Sequence, residues 1–234
     1  LVEKASGDNV TIRDVGGLTI VPSFIDAHGH VSLSATNQRS ASLQPPPAGA
    51  VSSIEQLQET LKQWEQKNSD LPWITGFGYD DSLLEEQRHP TKSDLDAIST
   101  DKPIVLFHVS YHFISCNSKC LEIAGITADT ENPAGGVIRR VAGSNEPNGV
   151  LEESAMYAIF SKIPPLSKEE RIENLGLAQH YYASHGITTL QDGATNKNNI
   201  ADLEAAASQG NLFLDVVGYQ AMAKGVPIAE DLNI

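Results

Sequence analysis

From Ser167 to Val217 the chain alternates helix and strand signals joined by short links, and this alternation limits the fold more than any other feature. Ser167 and Glu170 form a capping box, in which each side chain takes the other residue's backbone N–H. Ile172, Leu175 and Tyr182 follow as an apolar helical face, and Gly186 supplies a left-handed stop. Residues 187–190 then read as a strand, 201–208 as a helix ended by Gly210, and 212–217 as a second strand. Parallel strands need a crossover element, and a helix in each link provides it. The pattern therefore predicts βα units and a parallel sheet. No internal repeat accompanies it.

A second constraint lies near the start, where residues 21–30 read Val-Pro-Ser-Phe-Ile-Asp-Ala-His-Gly-His. As a strand, this stretch puts Phe24, Asp26, His28 and His30 on one face and Ile25, Ala27 and Gly29 on the other. Two imidazoles leaving a strand end on the same side can chelate one metal ion, with an acid just beneath them. Neutral imidazole suits zinc and several other divalent ions. Gly29 leaves room for close approach. With 7 histidines in 234 residues, a bare His-x-His arises by chance in about one such sequence in five. The pair alone can therefore also be two surface histidines at a strand end. The apolar run leading into Asp-Ala-His-Gly-His is what narrows the choice.

Between these regions the signals are mixed. Residues 1–20 suggest short β structure, with Val10 and Ile12 alternating and Gly16-Gly17 marking a turn. Residues 31–51 read as loop, with Pro45-Pro46-Pro47 favouring an extended polyproline conformation. Ile54, Leu57, Leu61 and Trp64 make an amphipathic helix over 53–67, capped by Ser52 or Ser53. Residues 72–79 read as a strand. The Asp80-Asp81 pair after it can serve a cation or an acid–base step, although a solvated turn is the commoner role at a strand end. Thr91 and Asp94 imitate a capping box opening a helix through Leu95 and Ile98. Residues 104–109 are apolar and branched, a strand buried on both faces. By spacing, His108 and His112 near its end are hydrogen-bonded core or rim histidines. A helix runs from Ser118 to a stop at Gly125. Cys116 and Cys120, four apart on a helical reading, are expected as small buried packing residues rather than a disulfide. Residues 127–149 suggest a hairpin or irregular excursion around 137–141, with Asn148-Gly149 as a turn. On residue type alone, Glu152 and Glu153 are a solvated pair opening a helix. His180 and His185 read as ordinary surface histidines.

Net charge is -14, from 30 acids against 16 bases. That disfavours nucleic acid and anionic membranes as partners, because both need a basic face. No run approaches the ~20 apolar residues of a membrane span, and the first residues lack the basic start and apolar core of a leader. A cytoplasmic location is the expectation. The length fits one large domain or two small ones.

Pro22, Phe24, Ile25, Asp26, His28 and His30 resemble the stretch that opens the barrel of the amidohydrolase superfamily of metal-dependent hydrolases, Pro-Gly-Phe-Ile-Asp-x-His-x-His, with Ser23 where the family usually has Gly. Pro90-Thr91, Leu95-Asp96-Ala97, Asp101-Lys102-Pro103, His112, Asn117-Ser118 and Ala124-Gly125-Ile126 are similar to one branch, amidohydrolase family 3, which includes N-substituted formamide deformylase. Gly135-Gly136, the run from Gly149 to Glu153 and the run from Gly186 to Thr189 extend the likeness, which reaches from Leu18 to about Ala194.

The resemblance implies an α/β fold: part of a (β/α)8 TIM-like barrel with a large α+β insertion after the first strand and remnants of a β-sandwich. Residues 1–20 would be the sandwich remnant, 21–50 the first barrel strand and its loop, 51–150 the insertion and 151–234 further βα units. His28, His30 and Glu153 would hold one or two divalent ions, most simply zinc, with Glu152 the alternative to Glu153 and Asp26 supporting the histidines from behind. His112 and Asn117 would face a small-molecule substrate, unless His112 holds the insertion together and Asn117 caps the helix beginning at Ser118. Two later histidines and a strand-end Asp acting as general base are expected beyond Ile234, so the chain reads as a fragment carrying no general base. The implied activity is hydrolysis of a C–N bond in an amide, formamide or cyclic amide. The alternative is an inactive fragment or a ligand- or partner-binding module, whose open sheet edges would favour a homo-oligomer.

Overall fold

The computed structural model describes residues 11–221. The elements begin with β1 (Phe24–Asp26), α1 (Val31–Thr36), β2 (Ala41–Ser42), α2 (Ile54–Lys67), β3 (Ile74–Tyr79) and α3 (Lys92–Asp96). Next come β4 (Ile104–His108), β5 (Phe113–Cys116), α4 (Ser118–Ala124), β6 (Gly136–Arg140) and β7 (Pro147–Glu153). A 3-10 turn at Ser154–Met156 leads into α5 (Tyr157–Phe160), α6 (Lys168–Ser184), β8 (Ile187–Thr195), α7 (Lys197–Ser208) and β9 (Asp215–Gln220). Among the described residues no helix is long and apolar enough to cross a membrane.

Two sheets result. A three-stranded parallel sheet runs β1-β8-β9, with α7 crossing between its last two strands. This is the βα arrangement that the alternation predicts. A six-stranded mixed sheet runs β2-β3-β4-β5-β7-β6, parallel from β2 to β4 and antiparallel beyond. One core packs α2 and α3 on the β3–β4 face through Leu57, Leu61, Leu95, Ile104 and Leu106. A second, around Val105, Ile114, Leu121, Leu151 and Ile159, covers the opposite face. A third joins α1, α6, α7 and β8 through Val31, Ala35, Leu175, Ala178, Leu190 and Leu203. Each of the valine, leucine and isoleucine side chains, fully buried, contributes about 1.5–3 kcal/mol.

Several local expectations hold for the anticipated reasons. Ser53 caps α2 by accepting the Gln56 N–H at 3.2 Å. The Thr91–Asp94 and Ser167–Glu170 capping boxes are both formed. Gly125 ends α4 at φ 69°, in the left-handed region. Ser23, where the resemblance has glycine, accepts the Thr188 hydroxyl at 2.6 Å across the approach of β1 to β8. Arg171 grips the buried Asp202 with two bonds of 2.6 and 3.0 Å, tying α6 to α7.

Other expectations are corrected. Within residues 11–20 there is a turn at Gly16-Gly17 but no strand, and residues 1–10 lie outside the described residues. The first strand spans three residues rather than 21–30, because the Asp26 carboxylate accepts the His28 N–H at 3.1 Å and turns the chain. Residues 31–51 are not all loop. Val31 and Ala35 bury against α6 as part of α1, and Ala41–Ser42 adds β2 to the mixed sheet. That sheet therefore starts ahead of residue 51. Cys116 ends β5 while Cys120 lies in α4, so they do not share a helix. Both are nonetheless buried and free, and burial pushes the Cys116 thiol well up. Asn148-Gly149 is not a turn but part of β7. A Cβ on Gly149 would lie 2.4 Å from the Cys116 carbonyl oxygen, so the glycine serves close strand approach. The hairpin turns instead around Gly143, where Val141 N–H bonds the Glu146 carbonyl at 2.8 Å. The last two strands reach Thr195 and Gln220, beyond the expected ends.

Burial alone would raise the Asp94 carboxyl, but the Arg88 guanidinium and the Thr91 backbone N–H and hydroxyl outweigh it and hold Asp94 below its ordinary 3.8. A folded-state pKa below the unfolded one stabilises above the unfolded value, and that contribution is lost as pH falls through the folded one. Asp94→Ala should cost about 1 kcal/mol at neutral pH, and its stability should fall less steeply than the parent's below pH ~4, as read by urea unfolding across pH.

Candidate functional site

Asp26, His28 and His30 lie together at the carboxyl end of β1, the edge at which parallel α/β folds generally bind ligands. Past Asp26 the chain turns, and the Gly29 carbonyl accepts the Gly193 N–H at 2.9 Å, fastening the turn to β8. Gly29 suits this close turn: a Cβ there would meet Asp26 Oδ2 at 2.7 Å and the Gln191 carbonyl oxygen at 3.1 Å, so both would have to shift. His30 precedes α1 and forms an isolated bridge with Asp192 of β8. Its Nδ1 lies 2.9 Å from the Gly193 carbonyl, which can only accept. In the neutral ring the proton therefore sits on Nδ1 and the lone pair on Nε2, the tautomer a metal ligand needs. The His28 ring stands 5.8 Å from that of His30 at an 83° interplanar angle. Asp192 is buried, its carboxylate accepting the Ser32 backbone N–H at 3.1 Å and hydroxyl at 2.5 Å, which pins the start of α1.

These residues form one wall of a cavity of about 490 Å³. Asp26, His28 and His30 line it from the parallel sheet, Asn37 and Gln44 from the connecting segment, and Phe77 and Tyr111 from the mixed sheet. Tyr111 sits at φ 60° and stacks on Phe77 with centroids 5.0 Å apart. Burial pushes its phenol up to about 12, so the hydroxyl keeps its proton at neutral pH. It accepts from Asn37 Nδ2, leaving that proton to be donated. No motif marks Asn37, Gln44, Phe77 or Tyr111 in the sequence; only the fold places them opposite His30. His28, His30 and Asp26 carry donor types suited to a divalent ion, but among the described residues they do not form a converging group of three.

The other candidates lie elsewhere. Glu153 ends β7 at φ 49°, and its carboxylate pairs with His112 Nδ1 at 2.8 Å, both side chains more than half exposed. Glu152 pairs with Arg139. Glu153 does not line the His28–His30 cavity, and the three ligand groups do not converge among the described residues. The physical reason is placement: β7 belongs to the mixed sheet, and a local partner, His112 on the adjacent strand's approach, takes the carboxylate first. Asn117 is 0% exposed and is the cap of α4. Its Oδ1 accepts the N–H groups of Ile104 and Cys120, both at 2.9 Å, and its Nδ2 donates to the carbonyls of Ser99 and Lys102 at 2.8 and 2.9 Å. With its whole amide committed to backbone, the capping role prevails over the substrate-facing one.

Residues 11–233 match the model of an amidohydrolase family. The chain is 35% identical over 218 residues to an N-substituted formamide deformylase of Arthrobacter pascens, covering 90% of this chain and 39% of that protein. Similarity of 31% over 186 residues connects it to the protein LONG AFTER FAR-RED 3 of Arabidopsis thaliana, covering 80% of this chain and 31% of that one. The fold is shared with a crystal structure of a metal-dependent hydrolase from Pyrococcus horikoshii OT3, at a TM-score of 0.56 and 23% identity over 85% of this chain and 36% of that chain. The chain thus spans about two-fifths of the deformylase's length.

Two substitutions probe these assignments. Gly29→Ala should displace the Asp26 carboxylate or open the Gly29–Gly193 bond, lowering stability by about 1–3 kcal/mol and shifting the His30 ring resonances in NMR spectra. Asn117→Ala, which strands buried backbone donors, should cost roughly 3–5 kcal/mol in urea unfolding.

Proposed function

Because this chain belongs to the amidohydrolase family, we propose that its His28–His30 cavity takes part in metal-dependent hydrolysis of a C–N bond in an amide, formamide or cyclic amide. The observation that carries this reading is the fixed tautomer of His30, whose Nδ1 is committed to Gly193 beside a second imidazole at a parallel strand end. A divalent metal, one or two ions and most simply zinc, would activate a water and polarise the substrate carbonyl. His28 and His30 would hold it, and Asp26, bonded to the His28 backbone, would keep the turn between them in shape. Tyr111, neutral and with its proton unspent, would donate to a polar atom of a small-molecule substrate lying against Phe77. In this reading the β1-β8-β9 sheet is an arc of a (β/α)8 barrel, and the mixed sheet belongs to the insertion after its first strand. Parallel order and a helical crossover support that arc.

A second reading is a ligand- or partner-binding module without turnover. It is favoured by Glu153, whose carboxylate is engaged by His112 rather than turned toward the imidazoles.

The test is an assay of the natural protein containing this chain against N-substituted formamides, amides and cyclic imides, with and without a chelator. Hydrolysis should disappear with chelator, and kcat/KM should fall at least about a hundredfold in the H28A/H30A variant. Chelator-resistant turnover, or unchanged kcat/KM in that variant, would sink the hydrolase reading. Ligand binding without turnover of any of the compounds would favour the module.

A further inference from the structure

A separate group of ligand atoms lies in the mixed sheet, away from His28 and His30. Asp81 follows β3, His89 precedes the Pro90 that leads into α3, and His108 is the last residue of β4. Tyr79 pairs with His108 in the β3–β4 register, so the ends of both strands deliver their next residues to one point. One ligand atom from each of Asp81, His89 and His108 lies within 4.8 Å of the other two. His89 is 6% exposed and His108 7%, with Asp81 half-buried at the rim.

The rings are held in place by aromatic packing. His89 lies tilted on Phe113 with centroids 4.7 Å apart, and His108 meets Tyr79 edge-on at 5.1 Å. Tyr79, itself buried, places its hydroxyl 3.2 Å from His89 Nδ1 and 3.0 Å from Ser115 Oγ. His108 Nδ1 is 2.8 Å from Ser110 Oγ. That hydroxyl can accept from Nδ1, which leaves Nε2 with its lone pair, although the Ser110 backbone N–H at 3.1 Å can instead donate to Nδ1. His108 Nε2 is what the protein leaves unspent. It is 3.0 Å from Asp81 Oδ1, yet it makes no hydrogen bond, because the carboxylate lies off the axis of the ring nitrogen. A buried ring nitrogen without a partner is uncommon and calls for a cause.

We propose that Asp81, His89 and His108 form a zinc site distinct from the His28–His30 pair. The spacing decides between a hydrogen-bonded network and an ion. In a tetrahedral site with bonds of about 2.0–2.1 Å, neighbouring ligand atoms stand about 3.3 Å apart and off one another's bonding axes. Asp81 Oδ1 lies 3.0 Å from His108 Nε2 and 3.7 Å from His89 Nδ1, on either side of that value. A hydrogen bond wants the acceptor on the axis instead. Two neutral imidazoles and one carboxylate match zinc in donor type. Asp80 stands outside the set: its Oδ1 accepts the hydroxyl and N–H of Ser82 at 2.6 and 3.0 Å and lies 4.0 Å from His108 Nε2. The fourth position is left to water, reached past the rim at Asp81. Such an ion would staple the β3 end, the approach to α3 and the β4 end together.

The experiment uses zinc and cobalt as probes on the 234-residue chain. The H28A/H30A variant should retain a single ion per chain by elemental analysis, bind cobalt with the intense visible absorption of a tetrahedral site, and melt higher with zinc than with chelator. Adding H89Q and H108Q should abolish that ion and the absorption. If the H28A/H30A variant takes up no stoichiometric ion and zinc leaves its melting unchanged, the proposal fails. It also fails if the quadruple variant keeps the ion. Because the first measurement needs no change at Asp81, His89 or His108, misfolding of the quadruple variant cannot shelter the idea. Because it is made without His28 and His30, it is also independent of the hydrolase reading.

Discussion

The arrangement rests on one short parallel pairing, where the end of β1 meets β8. The Gly193 N–H takes the Gly29 carbonyl, and the Gly193 carbonyl holds the His30 imidazole. One glycine thus holds both the backbone that carries the histidines and the ring nitrogen of one of them. The reciprocal demand falls on Gly29, where any side chain would strike the Asp26 carboxylate. The helix that leaves the site is secured by the same strand, through Asp192 and Ser32. Position, tautomer and exit direction are therefore set by a handful of directional bonds rather than by bulk burial.

The cavity itself depends on how the two sheets are held together. The segment from α1 to β2 crosses between them, and its polar residues act as ties. Arg39 reaches α6 through Asn174 at 3.1 Å, Glu170 at 2.9 Å and Glu173 at 2.7 Å. Glu173 is largely exposed, so that bond adds little, whereas Glu170 and Asn174 are better shielded. Asn37 reaches the other way, to Tyr111. A segment that reads as loop is thus the hinge-pin of the site.

The sequence was most informative where local chemistry suffices. Ser53, Thr91 and Ser167 announced their helices through caps that need no distant partner. The signals failed where tertiary packing decides. Val31 to Thr36 is short and rich in serine and threonine, a weak helix former that stands because Val31 and Ala35 bury against α6. Phe113 to Cys116 is four residues long with no alternation to mark it, yet it pairs on both edges. Asn148-Gly149 carried a turn signal because turn and close strand approach both call for glycine. The candidate site divides the same way. His28 and His30 announce themselves by adjacency, whereas Tyr111 and the Asp81, His89 and His108 group exist only once the strands are in register.

Cys116 ends a strand of the mixed sheet and Cys120 lies in the helix that follows it, with the Cys116 thiol pushed well up by burial and neither sulfur exposed. A closed chain therefore offers a thiol reagent no access to either sulfur, and Cys116 no reactive thiolate. Labelling has to wait for β5 and α4 to part. The pair is a built-in clock for the opening of this half of the molecule, one that a thiol reagent can read without any engineered cysteine.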